Sequence, residues 1–332
     1  MNKISVIVCH HKGEKLLRKT LESLCRQSYK NYEILVATSV NDFRLDYPRT
    51  TFIEIQGGPA AKRNVAARYA TGSFLAFYDD DIEADRDSLK DMASLFRDRE
   101  VGMVFSKLMK MDEVTRFDEA GGYLTWTGFI WSRAEQNVRD EGQFNTPEPI
   151  FAGKSAACMI PKKVFYQVGM FDPKFYILGE ESDLAWRVWL SDRKVMFCPQ
   201  STVLHAFNTR FKPIDYYTHE RVYFNGCRNY LFMLASNLEP KNLVKILPIH
   251  MLAWLVAATG MLLRGKPRAS YYILKGFFAF IFDLKHVSIK RAKVAQIRKL
   301  PDQELFRFIR RDPKLSYYLN RLFRYWKIGL HG

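Results

Sequence analysis

The stretch Phe74-Leu75-Ala76-Phe77-Tyr78-Asp79-Asp80-Asp81 decides how the rest of the chain reads. Five apolar residues run straight into three adjacent carboxylates. An unbroken apolar run of this length fits a strand buried on both faces, as in a parallel sheet. Three acids at its end repel one another and resist desolvation, so positive charge is expected beside them. Carboxylate oxygens suit hard cations such as Mg²⁺ or Mn²⁺, which commonly bridge protein acids to substrate phosphates. The alternative is a solvated turn leading to a helix that starts near Asp85.

Working outward, Ile4–Cys9, Glu33–Ala37, Phe52–Ile55 and 73–78 read as strands, and 14–27 and 60–70 as the helices between them. Strand alternating with helix predicts an α/β fold with a mostly parallel sheet covered on both faces. Ligands of such sheets bind beyond the carboxyl ends of the strands. His10, Thr38, Gly57 and Asp79 fall at those ends, which places the acids on the ligand edge and disfavours a mere turn. Further on, Asp87–Phe96 reads as a helix and Val101–Phe105 as a strand. Residues 112–150 form a long irregular region with Trp126 and Trp131, of the kind that carries function. A short helix over Lys162–Val168 follows, then Glu180-Glu181-Ser182-Asp183 opening a helix with acids in its first turn, as the helix dipole favours. Residues 194–198 and 201–205 read as strands, the second ending in His205.

The opening Ser5-Val6-Ile7-Val8 with Thr20–Ile34, the segment Ala60-Ala61-Lys62-Arg63-Asn64, the Asp79-Asp80-Asp81 triplet, and Gly169–Phe175 followed by Glu180–Arg187 together resemble family 2 glycosyltransferases of the GT-A type. The resemblance covers about residues 4–230, and the middle region is most similar to the rhamnosyltransferase-type branch. It implies a Rossmann-like GT-A catalytic domain over 1–210. Two positions depart from the family pattern. Thr38-Ser39 stand where an acid often contacts the nucleotide base, and Glu181 stands for the second acid of a Glu-Asp pair.

The resemblance implies a metal on Asp81 and Asp79, with His205 as a further ligand. Asp79 would alternatively contact the donor ribose. Asp80, Lys62, Arg63, Asn64, Thr38 and Arg187 are the candidates for holding the nucleotide sugar, Lys62 or Arg63 facing phosphate from near a helix start. Transfer also needs a carboxylate to take the acceptor proton. Glu181 is that candidate, with Glu180, Asp183 and Arg187 shaping its surroundings, since neighbouring acids raise a carboxylate's proton affinity. One base opposite the leaving group implies inversion. Trp126, Trp131 and Trp186 are candidates for stacking on sugar rings.

Formal net charge is +16, and all of the excess lies late in the chain. Residues 1–209 hold 28 basic and 28 acidic side chains, and residues 210–332 hold 23 and 7. Residues 215–237 read as an aromatic helix, including Tyr216 and Tyr217. Ile246–Leu263 is then 18 residues without a formal charge, borderline for a span. A single crossing would strand the later basic residues on the wrong side. Residues 211–332 are therefore expected to be a helical region that lies on, or is shallowly inserted in, an anionic membrane through 240–330. Arg264, Lys266, Arg268, Lys290, Arg291 and Lys293 would hold it there. No nucleic-acid motif is present, so nucleic acid is not an expected partner. Met1–Ile4 enters a strand pattern at once, so no signal peptide is expected. Five scattered cysteines read as reduced residues of a cytosolic protein. The composite expectation is a metal-dependent inverting transferase at the cytoplasmic face, acting on a lipid-linked or cell-surface glycan. Its rivals are a nucleotidyltransferase, disfavoured by the poor phosphate loop at His10–Glu14, and a noncatalytic membrane- or nucleic-acid-binding protein on this fold.

Overall fold

The computed structural model describes residues 2–11, 13–134, 138–207 and 220–314. The first half alternates as anticipated: β1 (Ile4–His10), α1 (Glu14–Cys25), β2 (Tyr32–Thr38), β3 (Thr50–Glu54), α2 (Pro59–Tyr69), β4 (Phe74–Asp79), β5 (Ile82–Ala84), α3 (Ser88–Leu95) and β6 (Val101–Lys110). The irregular region holds β7 (Phe117–Glu119), β8 (Gly122–Leu124), β9 (Ile130–Ser132) and β10 (Glu148–Pro149). Then come β11 (Ala157–Pro161), α4 (Lys162–Gln167), α5 (Glu180–Leu190) and β12 (Lys194–His205). A helical layer closes the described chain: a π-turn at Glu220–Phe224, α6 (Asn225–Asn237), α7 (Pro240–Leu263), α8 (Pro267–Phe282), α9 (Leu284–Ile297) and α10 (Asp302–Ile309).

Among the described residues the main sheet has ten strands, in the order β10-β12-β6-β11-β4-β1-β2-β3, with β5 and β7 joined to β12 and β6. β3, β2, β1 and β4 are mutually parallel, and β6 runs parallel to β12. β11 is antiparallel to both β4 and β6 and knits the two parallel groups together. Side-chain alternation sorts each strand between two cores. Val6, Val8, Ala76 and Tyr78 face α1 and α3, whereas Ile7, Leu75 and Phe77 face the opposite layer. That second core continues without a break from the sheet through Trp186 and Leu231 to Ile273, Leu305 and Ile309.

Several elements differ from expectation. Residues 194–205 form one strand, not two, with a register shift between Cys198 and Thr202. Pro199 has no N–H to give the ladder, so a bulge there is the economical solution. Trp186 is fully buried and packs edge-to-face on Phe151, so it is core and does not stack on a sugar. Lys290 is buried between Asp172 and Asp183, and Arg291 donates to the carbonyls of Ala235 and Leu238. Neither side chain is therefore available to a membrane. The five cysteines are free. The expected boundary at 210/211, the helix start at 215 with Tyr216 and Tyr217, and the chain beyond 314 lie outside the described residues.

Candidate active site

Asp79 closes β4, and the chain turns through Asp80 and Asp81 into β5. Antiparallel pairing of β5 with β12 sets Ile82 opposite His205, and the backbone N–H of Ala206 donates to the Asp81 carbonyl at 2.9 Å. The strand-end histidine is thereby brought beside the acidic triplet from more than a hundred residues away. Ligand atoms of Asp79, Asp81 and His205 lie within 4.8 Å of one another. Two carboxylates and an imidazole, two of the three residues buried, fit a divalent cation of the Mg²⁺ or Mn²⁺ kind.

The cluster has an outer layer that sequence reasoning missed. Asp118, on β7, accepts from His205 Nδ1 at 2.9 Å, and Lys154 donates to Asp118 at 2.8 Å. Burial works against charge on both Asp118 and His205, but pairing wins on each. Lys154 and His205 hold the Asp118 carboxyl well below its usual range. Asp81 and Asp118 push His205 up to about 10. His205 Nε2 lies 3.4 Å from Asp81 Oδ1. With one proton kept on Nδ1 by Asp118, the same geometry leaves Nε2 aimed at Asp81 as a ligand atom, which is the usual carboxylate–histidine arrangement around metals. A lone lysine among the small apolar residues of 151–160 was the available signal for Lys154.

The second acidic group is tied to the first through one arginine. Arg63, buried on α2, donates to Asp79 at 2.7 Å and to Glu180 at 3.2 Å, and so ties the end of β4 to the first turn of α5. Glu180 is buried and committed to this bond, while its neighbour Glu181 is half-buried. Burial, then the charge of Glu180, hold the Glu181 carboxyl well above the usual carboxylate range. A carboxylate of raised proton affinity beside a cation cluster is suited to accept a proton. The turn entering α5 is unusual: Leu178 and Gly179 both have left-handed backbone, at φ 70° and 88°. Asn229 of α6 holds it by donating to the carbonyls of Ile177 and Leu178 at 2.9 and 2.7 Å.

Other predicted site residues are placed differently from expectation. Lys62 is buried and donates to the His10 carbonyl at 2.6 Å and to Ser39 Oγ at 3.0 Å. It closes off the ends of β1 and β2, and Arg63 is taken up by the two acids, so neither presents a free cation to phosphate. Asn64 bonds the backbone of Phe171 in both directions, at 2.7 and 3.0 Å, and clamps α2 to the segment before α5. Thr38 is buried and pairs with His10 Nδ1 at 2.9 Å. Asp80 accepts the His11 backbone N–H at 3.0 Å. Asp183 is fully buried among Arg187, Asn237 and Lys290, and Arg187 also donates to the Val168 carbonyl. Asp183 and Arg187 are therefore internal anchors of α5. Trp126 is exposed and its backbone N–H is bonded to Asp312, while Trp131 is half-buried.

With this sheet, the acidic strand end and the acidic helix start in place, the class follows. Residues 5–166 match the model of the family described as glycosyl transferase family 2. That match, on a GT-A fold, favours the family 2 glycosyltransferase reading over the nucleotidyltransferase and noncatalytic ones. The O-antigen biosynthesis protein RfbC of Myxococcus xanthus is 27% identical over 221 residues, 61% of this chain and 17% of that protein. The crystal structure of S. aureus TarS 1-349 in complex with UDP-GlcNAc superposes with a TM-score of 0.56 at 16% identity, covering 89% of each chain. The mannosyltransferase PcManGT from Pyrobaculum calidifontis, in complex with GDP-Man and Mn²⁺, gives a TM-score of 0.51 at 17% identity, covering 84% of this chain and 87% of that one. At these identities the structural likeness concerns the fold. The chain spans less than half the length of the curated relatives it matches, at 17%, 42% and 31% of the first three.

Proposed function

We propose that this enzyme moves a hexose or deoxyhexose from a nucleotide-sugar donor to a lipid-linked or cell-surface glycan, with inversion and with a divalent cation. The observation that carries the reading is Arg63, which joins Asp79 of the cation cluster to Glu180 beside the candidate base. Asp79, Asp81 and His205 would hold the cation, and the imidazole favours Mn²⁺ over Mg²⁺. When bound there, the cation would neutralise charge growing on the departing diphosphate. Glu181 takes the acceptor hydroxyl proton, on the face opposite the leaving group. Arg63 holds Glu180 in place beside that base, and Asp118 keeps His205 oriented. Asp80, His10 and the Thr38–Ser39 end of β2 form the protein wall nearest the expected nucleotide. A deoxyhexose donor is favoured by the likeness of the middle region to the rhamnosyltransferase-type branch. We further propose that 1–210 is the catalytic unit, and that 211–332 keeps it at the cytoplasmic face of the membrane.

A nucleotide-sugar donor is supported by the UDP-GlcNAc and GDP-Man complexes of the two solved neighbours, and Mn²⁺ by the second of them. The test is release of nucleoside diphosphate from a panel of nucleotide sugars, with and without Mn²⁺. Turnover should vanish in EDTA and fall at least about 10²-fold in Asp81→Asn and in Glu181→Gln, both still folded. Undiminished turnover in folded Glu181→Gln removes that residue as the base, and metal-independent turnover removes the cation.

A further inference from the structure

The helical layer shows an apolar surface with nothing in the described chain covering it. α7 is the one described helix long and apolar enough to cross a membrane, yet only 22% of its apolar stretch is buried. Its inner face, through Ile246, His250, Ala258 and Met261, packs on the body of the protein. His250 Nδ1 bonds the Thr127 carbonyl at 2.9 Å, and Trp254 donates to His250 at 3.0 Å. A helix pinned along its length in this way cannot be surrounded by lipid. Its outer face is apolar all the same: Leu252, Val256 and Leu263 are 61%, 54% and 82% exposed. α8 continues the surface with Tyr271, Phe278 and Phe282 at 58%, 50% and 84%, spaced seven and four residues apart on one stripe.

The charge around this surface is of one sign. Residues 240–301 carry twelve Lys and Arg and a single acid, Asp283, which is already paired with Lys174 at 2.6 Å. Arg264 and Lys266 sit at the α7–α8 turn, and Arg268 and Lys275 are exposed on α8 next to the apolar stripe. The Lys275 ammonium lies 6.0 Å from the Tyr271 ring centroid and 5.8 Å from that of Tyr272, a cation against the aromatic border of the stripe. An apolar face bordered by cations matches an anionic lipid surface, which takes the side chains into its acyl boundary and the charges at its headgroups. A second copy of this chain would instead set these cations against their own kind.

We propose that α7 and α8 form a hairpin lying flat in the interface of an anionic bilayer, with Leu252, Val256, Leu263, Tyr271, Phe278 and Phe282 inserted and Lys266, Arg268 and Lys275 on headgroups. This deepens the localisation part of the functional reading and is independent of the transfer chemistry, because vesicle binding needs no substrate. The full chain is floated with phosphatidylcholine vesicles and with vesicles that also contain phosphatidylglycerol. Binding to the anionic vesicles should exceed binding to the neutral ones at least about tenfold and be lost in high salt. Phe278→Glu with Phe282→Glu should lower it at least about tenfold, with circular dichroism unchanged. If that variant does not fold, Arg268→Glu with Lys275→Glu should produce the same loss. Equal flotation with both vesicle types overturns the proposal. So does unaltered flotation of the folded variants, or a solution dimer broken by Phe278→Glu with Phe282→Glu in a protein that binds no vesicle.

Discussion

Single side chains in this protein are set by what they are paired with. Glu33, one residue into β2, accepts from Ser5 Oγ at 2.6 Å, Thr71 N at 2.7 Å and Lys3 Nζ at 2.9 Å. Burial alone would raise its proton affinity, but these donors bring it down to about 2 from 4.5. A depressed carboxylate gives stability that is whole above about pH 4.5 and is lost as pH falls from there toward 2. Glu33→Gln should therefore cost on the order of 2 kcal/mol at pH 7, and the gap to the parent should close on acidification. Denaturant titrations at several pH values check this, and a gap independent of pH would refute the account. The same logic in reverse raises Glu181, where burial and Glu180 outweigh the available cations.

At the scale of elements, α5 carries the candidate base and is held from the tail side. Asp183 bonds Lys290 at 2.8 Å and Asn237 at 2.9 Å, and Asp172, just upstream of α5, bonds Lys290 at 2.7 Å and His286 at 3.0 Å. Asn229 pins the left-handed Leu178–Gly179 turn. A non-glycine residue in that conformation stores roughly 1–2 kcal/mol, so the turn needs its restraints. In Asn229→Ala the protein should lose about 1–3 kcal/mol of stability. Its kcat should fall while KM for the donor changes little, because α5's first turn relaxes while the cation cluster on β4 and β12 is untouched. Steady-state kinetics decide; an unchanged kcat would show that the turn holds itself.

For the whole molecule, the tail is both a charged surface and part of the core. Ile273, Phe277, Phe280, Leu305 and Ile309 share one apolar cluster with Phe77 of β4 and Trp186 of α5. Removing everything after residue 239 would expose that cluster and strip Lys290 from two buried acids, a change that costs several kcal/mol by the ion pairs alone. The truncated chain should be recovered aggregated, or with little of the parent's cooperative melt, as size-exclusion chromatography and calorimetry would show. A monodisperse, cooperatively melting fragment would mean that the catalytic region folds without the helical layer. This is also why membrane binding is best tested by surface substitutions in the complete chain.

Much of the architecture was legible along the sequence because it is written locally. Apolar runs at strand length, helical spacing in 14–27 and 60–70, and acids at a strand end need no distant partner to be recognised, and they led to the sheet, its ligand edge and the Asp79–Asp81 cluster. The basic, apolar character of the last third is likewise composition. What only the tertiary structure decided is which charges meet. Lys62, Arg63, Asp183, Arg187 and Lys290 look like surface or substrate groups in the sequence, yet each is consumed by a partner brought from another element. Asp118 and Lys154 carry no motif and join the site solely because β7 and the turn before β11 arrive beside His205. Pairing between charges far apart in sequence is a property of packing, since burial makes an unpaired charge too costly to leave and only the fold determines who is near enough to answer it.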